Sequence, residues 1–138
     1  MQLHAYLCFN GRCDEAIAFY CEAVGAEVVM KSYFKDMPDS EACPSGAEDK
    51  VMHATLKIGE SILMVSDGCG ANGPNFADFS LSLSLTDEGE ATRLFEALGA
   101  GGEVQMPLAK TFWSPCFGMV KDRFGLSWMI CIPGEDMG

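Results

Sequence analysis

A chain of 138 residues is within the usual size of one domain and can bury roughly two-thirds of its unfolded surface. Twenty Asp and Glu against nine Lys and Arg leave a net charge of −11, a surface that repels phosphate backbones and anionic headgroups and so speaks against nucleic acid and membrane partners. No apolar run approaches the ~20 residues of a membrane span, and Met1-Gln2-Leu3-His4 has neither a basic nor an apolar leader region, so a cytoplasmic location is expected.

In chain order, Leu3 to Phe9 reads as a strand, and Asn10-Gly11 turns the chain. From Asp14 the apolar residues Ala16, Ile17, Phe19, Tyr20, Ala23 and Val24 recur at helical spacing, with Gly25 where a C-cap glycine belongs. Glu27 to Phe34 is the next strand, residues 36–50 a long loop. Val51 to Ile58 alternates, Gly59-Glu60 turns, and Ser61 to Ser66 is extended again. A turn-rich stretch from Asp67 to Asn75 then separates two halves that repeat each other.

The repeat is visible residue by residue. Glu15-Ala16, Phe19-Tyr20 and Glu22-Ala23-Val24-Gly25-Ala26 match Glu90-Ala91, Leu94-Phe95 and Glu96-Ala97-Leu98-Gly99-Ala100, with one residue fewer in the second copy. Glu27-Val28-Val29-Met30 matches Glu103-Val104-Gln105-Met106. Gly59 with Leu63-Met64-Val65 matches Gly125 with Trp128-Met129-Ile130. Three matches in the same order indicate an internal duplication. Each copy runs strand, helix, then three strands, which predicts an α+β protein of two tandem βαβββ modules, residues 1–67 and 76–132, in a single domain over 1–138.

Seven cysteines, Cys8, Cys13, Cys21, Cys43, Cys69, Cys116 and Cys131, are odd in number and irregularly spaced, with no C-x-x-C pair. Free thiols are therefore expected, several of them acting as small apolar residues.

The ordering resembles the vicinal oxygen chelate superfamily (glyoxalase I, extradiol dioxygenases, bleomycin-resistance proteins), and within it the PhnB-like (YjdN-like) group. The matching stretches are Met52-His53-Ala54, Leu63 to Asp67, Gly101 to Leu108, Thr111-Phe112-Trp113, and Phe117-Gly118-Met119-Val120 with Asp122 to Gly125 and Trp128-Met129-Ile130. The resemblance implies one cupped, eight-stranded mixed sheet with helices on its convex face, commonly paired as a homodimer. Metal-using members hold a divalent ion on the cupped face with His and Glu. Carried onto this chain, those positions fall on Ala5, Met64, Ser80 and Met129. Methyl and thioether groups do not ligate hard or borderline ions, and His4 is one residue off register, so neither a metal nor another cofactor is expected. Paired thioethers would suit Cu(I), though apolar lining is their commoner role.

Strand alternation sorts the other candidates. Leu81, Leu83 and Leu85 suit the helix-covered face, leaving Ser80, Ser82 and Ser84 for the cup; Ala54, Leu56 and Ile58 suit the covered face, leaving His53, Thr55 and Lys57. The cup is then expected to hold Ala5, Leu7, Met64 and Met129 as its apolar floor, with Thr55, Ser80 and Ser82 as hydroxyls. His53 is the candidate acid–base, against a purely cross-strand hydrogen-bonding role. Asp67 fits an Asx turn better than catalysis. Phe112 and Trp113 either stack over a ligand or pack at a domain or dimer seam. Lys57 and Lys110 either attract an anion or are solvated.

Three function classes follow: metal-free binding of a small organic molecule, a metal-independent lyase or isomerase using His53, and a structural dimer whose cup is filled by its own side chains. Methyl transfer on a quinone, a label sometimes attached to the PhnB-like group, finds no Gly-rich strand–turn–helix for its donor.

Overall fold

A computed structural model of the chain describes residues 1–36, 48–67, 76–77 and 79–134. Most of the expected loop over 36–50 and linker over 67–75 lies outside these residues, as do Cys43 and Cys69. The chain divides into two units, Met1–Pro74 and Asn75–Gly138.

In the first unit β1 (Ala5–Cys8) leads to α1 (Cys13–Val24), then β2 (Glu27–Tyr33), a short 3-10 turn over Phe34–Asp36, β3 (Val51–Ile58) and β4 (Ser61–Ser66). The sheet order is β1-β4-β3-β2. The second unit repeats this with β5 (Leu81–Ser84), α2 (Glu88–Gly99), β6 (Glu103–Ala109), β7 (Cys116–Lys121) and β8 (Ser127–Ile132), in the order β5-β8-β7-β6. The βαβββ repeat expected from the sequence is present in both halves. In each, the first strand is parallel to the last and the other neighbours are antiparallel.

The expected limits of β3 and β4 agree with the observed ones, whereas β1 and β5 are shorter than their apolar runs. A ladder needs a partner: β1 is paired only along Leu63 to Ser66, and β5 only along Trp128 to Cys131. Beyond the ladder Phe9 N–H still donates to the Ser66 carbonyl at 2.8 Å, and Leu85 N–H to that of Cys131 at 3.0 Å.

Each helix turns its apolar stripe toward its sheet. In α1 this is Cys13, Ala16, Ile17, Tyr20 and Ala23, all buried, and the matching sheet residues are Leu7, Ala54, Leu56, Leu63 and Val65. In α2 it is Ala91, Leu94, Phe95 and Leu98, matched by Val120, Trp128 and Ile130. Gly118 allows the close approach of α2: a Cβ there would stand 2.9 Å from both Phe95 Cε2 and Leu108 Cδ2. The two helices stop differently. Gly25 takes the left-handed conformation after α1 (φ 69°). Its sequence counterpart Gly99 is instead the last residue of α2, and the left-handed residue is Gly101 (φ 78°).

They also start differently. Asp87 caps α2 locally, its carboxylate accepting from Glu90 N–H at 3.0 Å. Arg12 at the start of α1 makes no side-chain cap bond. The free N–H groups there are taken by a residue far along the chain: Asp67 Oδ1 accepts from Gly11 N–H (2.6 Å) and Cys13 N–H (3.0 Å), while Oδ2 accepts from Val51 N–H (3.1 Å). Asp67 is thus a bolt between three segments, a wider role than a local Asx turn. The second unit buries a carboxylate elsewhere. Asp122, in the β7–β8 turn, accepts from the N–H groups of Phe124 and Leu126 and from Trp128 Nε1–H at 2.9–3.1 Å.

The cysteines need one correction. Cys13, Cys21, Cys116 and Cys131 are free, as expected, but Cys8 is disulfide-bonded. Disulfide formation depends on Cα proximity in space, to which sequence spacing is a poor guide. Burial, reinforced by the Asp67 and Asp14 carboxylates, raises the Cys13 thiol pKa far above its ordinary 9.0.

Two predictions follow from these contacts. Asp67→Ala orphans three N–H groups and should lower stability by about 2–4 kcal/mol, against ~1 kcal/mol for Asp87→Ala, as read from denaturant midpoints. Equal losses from the two would refute the bolt. The native chain should hold the Cys13 proton that the unfolded chain releases, so this thiol's contribution to stability is complete below about pH 9 and declines above it. Cys13 should therefore resist a thiol-specific reagent at pH 8.5 that labels the half-buried Cys21.

Candidate functional site

The helix of each unit covers one face of its sheet and leaves the other without a helix. Ladder partners share a face, so the register assigns every strand residue to a side. On the helix-free face of the first sheet, Met30 (β2) stands opposite Thr55 (β3), Thr55 opposite Met64 (β4), and Met64 opposite Tyr6 (β1). One pair further along, Ser32 faces His53, and Cys8 faces Ser66. In the other direction Glu27 faces Lys57 and Lys57 faces Ile62.

The second sheet repeats the scheme. Met106 (β6), Met119 (β7), Met129 (β8) and Ser82 (β5) form the central row. Ala109, Phe117, Cys131 and Ser84 form the next, and Glu103, Lys121 and Ser127 the outer one. Thioether and hydroxyl groups thus dominate the middle of both faces, with a Glu–Lys pair toward one end.

Of the candidates, Thr55 and Met64 are brought together as ladder partners, and so are Ser82 and Met129. Ser80 precedes β5 and is half-buried, with the same strand parity as Ser82. Ala5 and Leu7 require correction. They pair with Leu63 and Val65 on the helix-covered face, and Leu7 is only 5% exposed. The first-strand residue level with Met64 is Tyr6, which is 50% exposed. Alternation could have found it: Ala5, Leu7 and Phe9 are the uniformly apolar set, which belongs under the helix, and His4, Tyr6 and Cys8 the amphipathic one.

His53 is half-buried beside both of its near neighbours. Its Nε2 lies 3.3 Å from Thr55 Oγ1, and its ring centroid 5.7 Å from that of Tyr6. These are neutral groups, so His53 is oriented by a hydroxyl and a phenol ring and not by a carboxylate. Lys57 stands opposite Glu27 in the ladder, and Lys110 is exposed next to β6. An anionic ligand would meet carboxylate as well as ammonium on the first sheet.

Phe112 and Trp113 sit in a tight turn after β6. Thr111 Oγ1 accepts from Trp113 N–H (3.3 Å) and Ser114 N–H (3.0 Å), and Thr111 N–H donates to the Ser114 carbonyl (2.9 Å). Buried Ser114 anchors the turn, its hydroxyl 2.6 Å from the Ile132 carbonyl. Phe112 is 97% exposed, with its ring edge-on to Trp113 at 4.8 Å; Trp113 is in turn edge-on to Phe117 at 5.7 Å. An aromatic ladder therefore runs from solvent to the helix-free face of the second sheet.

The donor set does not fit a hard or borderline divalent ion. The strand residues concerned supply thioether, hydroxyl and phenol groups. Among the described residues no group of three or more His, Cys, Asp or Glu could hold a metal. No helix among them is long and apolar enough to cross a membrane.

Solved structures carry the same architecture. A glyoxalase-related enzyme from Fulvimarina pelagi, 17% identical, aligns over 100% of this chain and 95% of its own with a TM-score of 0.67, and a glyoxylase/bleomycin resistance protein/dioxygenase domain from Frankia sp. EAN1pec, 15% identical, over 98% and 93% with the same TM-score, so the fold is that of these proteins. Protein PA1353 from Pseudomonas aeruginosa is 42% identical, with a TM-score of 0.84 over 96% of this chain and 98% of that one. Escherichia coli (strain K12) protein YjdN is 38% identical over 138 residues, 94% of each chain. The model of the family described as 3-demethylubiquinone-9 3-methyltransferase matches residues 1–131, and the chain belongs to that family.

The face assignment has a direct test. Leu7→Ala should cost about 2–5 kcal/mol of unfolding free energy, as a buried core truncation, and Tyr6→Ala less than about 1 kcal/mol. The reverse order would return Ala5 and Leu7 to the open face.

Proposed function

We propose that this chain binds a small organic molecule on a helix-free sheet face, without a metal ion, and that residues 1–138 act as one functional domain. The observation that carries this reading is the chemistry of the two central rows, Met30-Thr55-Met64-Tyr6 and Met106-Met119-Met129-Ser82. Apolar, polarisable side chains broken by a few hydroxyls suit a neutral organic ligand and offer a hard cation little. The family's description names a methyl transfer. Among the described residues no Gly-rich strand–turn–helix is present to seat a nucleotide-like methyl donor, so binding is the better supported reading.

Two further features belong to the proposal. Val28, Val29 and Met30 on β2, and Val104 and Met106 on β6, are exposed apolar residues on edge strands, which supports pairing with a second copy of the chain. The four free described thiols support residence in the cytoplasm, where the Cys8 disulfide would be the exception.

A second reading rests on His53. Its half-buried imidazole beside Thr55 and Tyr6 is a candidate acid–base for a metal-independent lyase or isomerase reaction.

Elemental analysis and thermal shift test these readings together. Protein purified without added metal should carry well under one equivalent of Zn, Ni or Fe, and a library of neutral organic molecules should contain some that raise its melting temperature. A ligand at 100 times its Kd adds about 2.7 kcal/mol, enough for a shift of several degrees. A stoichiometric metal would overturn the metal-free reading. For any turnover found, unchanged kcat/KM in His53→Ala would dismiss the acid–base role.

A further inference from the structure

Within the second unit, chemistry narrows the ligand further than "small and organic". The central row of its helix-free face places three thioethers, Met106, Met119 and Met129, on adjacent strands. The next row brings Phe117 beside Cys131 on that same face. Neither row contains a charged side chain; the charges, Glu103 and Lys121, lie one pair further out. Sulfur next to an aromatic ring is a favourable, polarisable contact, and an aliphatic molecule of the same size gains only area burial from it.

The aromatic ladder supplies the other half. Trp113 meets Phe117 edge-on, and Phe112 meets Trp113 edge-on. The Thr111 and Ser114 hydrogen bonds already hold the turn in shape, so presenting these rings costs a ligand no loop ordering. Large exposed rings on a preformed turn, continuous with a thioether row, are a surface for another ring.

We propose that the second unit binds a planar, uncharged aromatic ring system, held against the thioethers of Met106, Met119 and Met129 at one end and by the Phe112–Trp113–Phe117 ladder at the other. This rests on the small-molecule reading above and specifies its ligand class.

The test uses a matched pair of probes, 2-naphthol and its saturated counterpart decahydro-2-naphthol, titrated into the full chain with methionine methyls labelled by carbon-13. Met→Leu variants assign the methyl signals. The aromatic probe should produce saturable ring-current shifts at Met106, Met119 and Met129, with at least about tenfold tighter binding than the saturated one. Phe112→Ala and Trp113→Leu should each weaken it about two- to tenfold, the range that loss of one aromatic pair spans, with the melting temperature of the free protein unchanged for Phe112→Ala because that ring is almost wholly exposed. Equal affinity for the two probes would overturn the aromatic class and leave the small-molecule reading standing. Shifts confined to Met30, Met52 and Met64 would overturn the assignment to the second unit. Absence of saturable shifts from both probes, together with no stabilising compound in the thermal-shift library, would bring down the binding reading itself.

Discussion

Where β1 and β4 end side by side, the Asp67 carboxylate gathers the N–H groups of Gly11, Cys13 and Val51. The parallel pairing of first and last strands makes this possible, because it brings the end of β1, the end of β4 and the start of β3 to one edge. The same carboxylate that stops β4 also starts α1. Ordering those segments costs conformational entropy, and a charged acceptor shared by three donors offsets part of it. With the helix held there, one face of the first sheet is covered, and strand register sorts the residues between that face and the open one.

The second unit reaches the same topology with different chemistry. Asp87 caps α2 from the adjacent position, and Ser114 takes over the task of joining the end of β8 to the start of β7. Its buried carboxylate, Asp122, is spent on the β7–β8 turn and on the indole of Trp128. The duplicated halves have kept their ladders and exchanged their fasteners. The open faces have kept their character too: a central row with methionines in both, a serine or tyrosine on the first strand, and a Glu–Lys pair toward one end. Such faces give adaptable apolar contact and hold few of the donors that hard or borderline cations take.

Much of the candidate site was legible in the strands whose alternation is clean. Ser82 and Leu83 in β5, and His53, Ala54, Thr55 and Leu56 in β3, lie on the faces their polarity predicts. In β1 the run Leu3-His4-Ala5-Tyr6-Leu7 is ambiguous, since Ala and Tyr suit either side, and carrying ligand positions over from relatives put Ala5 and Leu7 one step out of phase. A slip of one residue exchanges faces, so Tyr6 was missed altogether. Phe117 carries no local signal for its role either: its place beside Trp113 depends on the turn at Thr111–Ser114, whose hydrogen bonds leave no periodic trace in the sequence.

Local order determined what the sequence could settle by itself: two copies of strand, helix and three strands, the helical stripes, and the alternation that divides each strand into a covered and an open side. These depend on neighbours within a few residues, where spacing and side-chain type decide the outcome. Only the tertiary structure decided which residue of β1 stands level with Met64, that Asp67 serves a helix more than fifty residues earlier, that Cys8 is disulfide-bonded, and that Phe112, Trp113 and Phe117 form one ladder. Each of these is a meeting of segments distant in sequence, and its partners are chosen by strand register and loop closure, which no short window of residues contains.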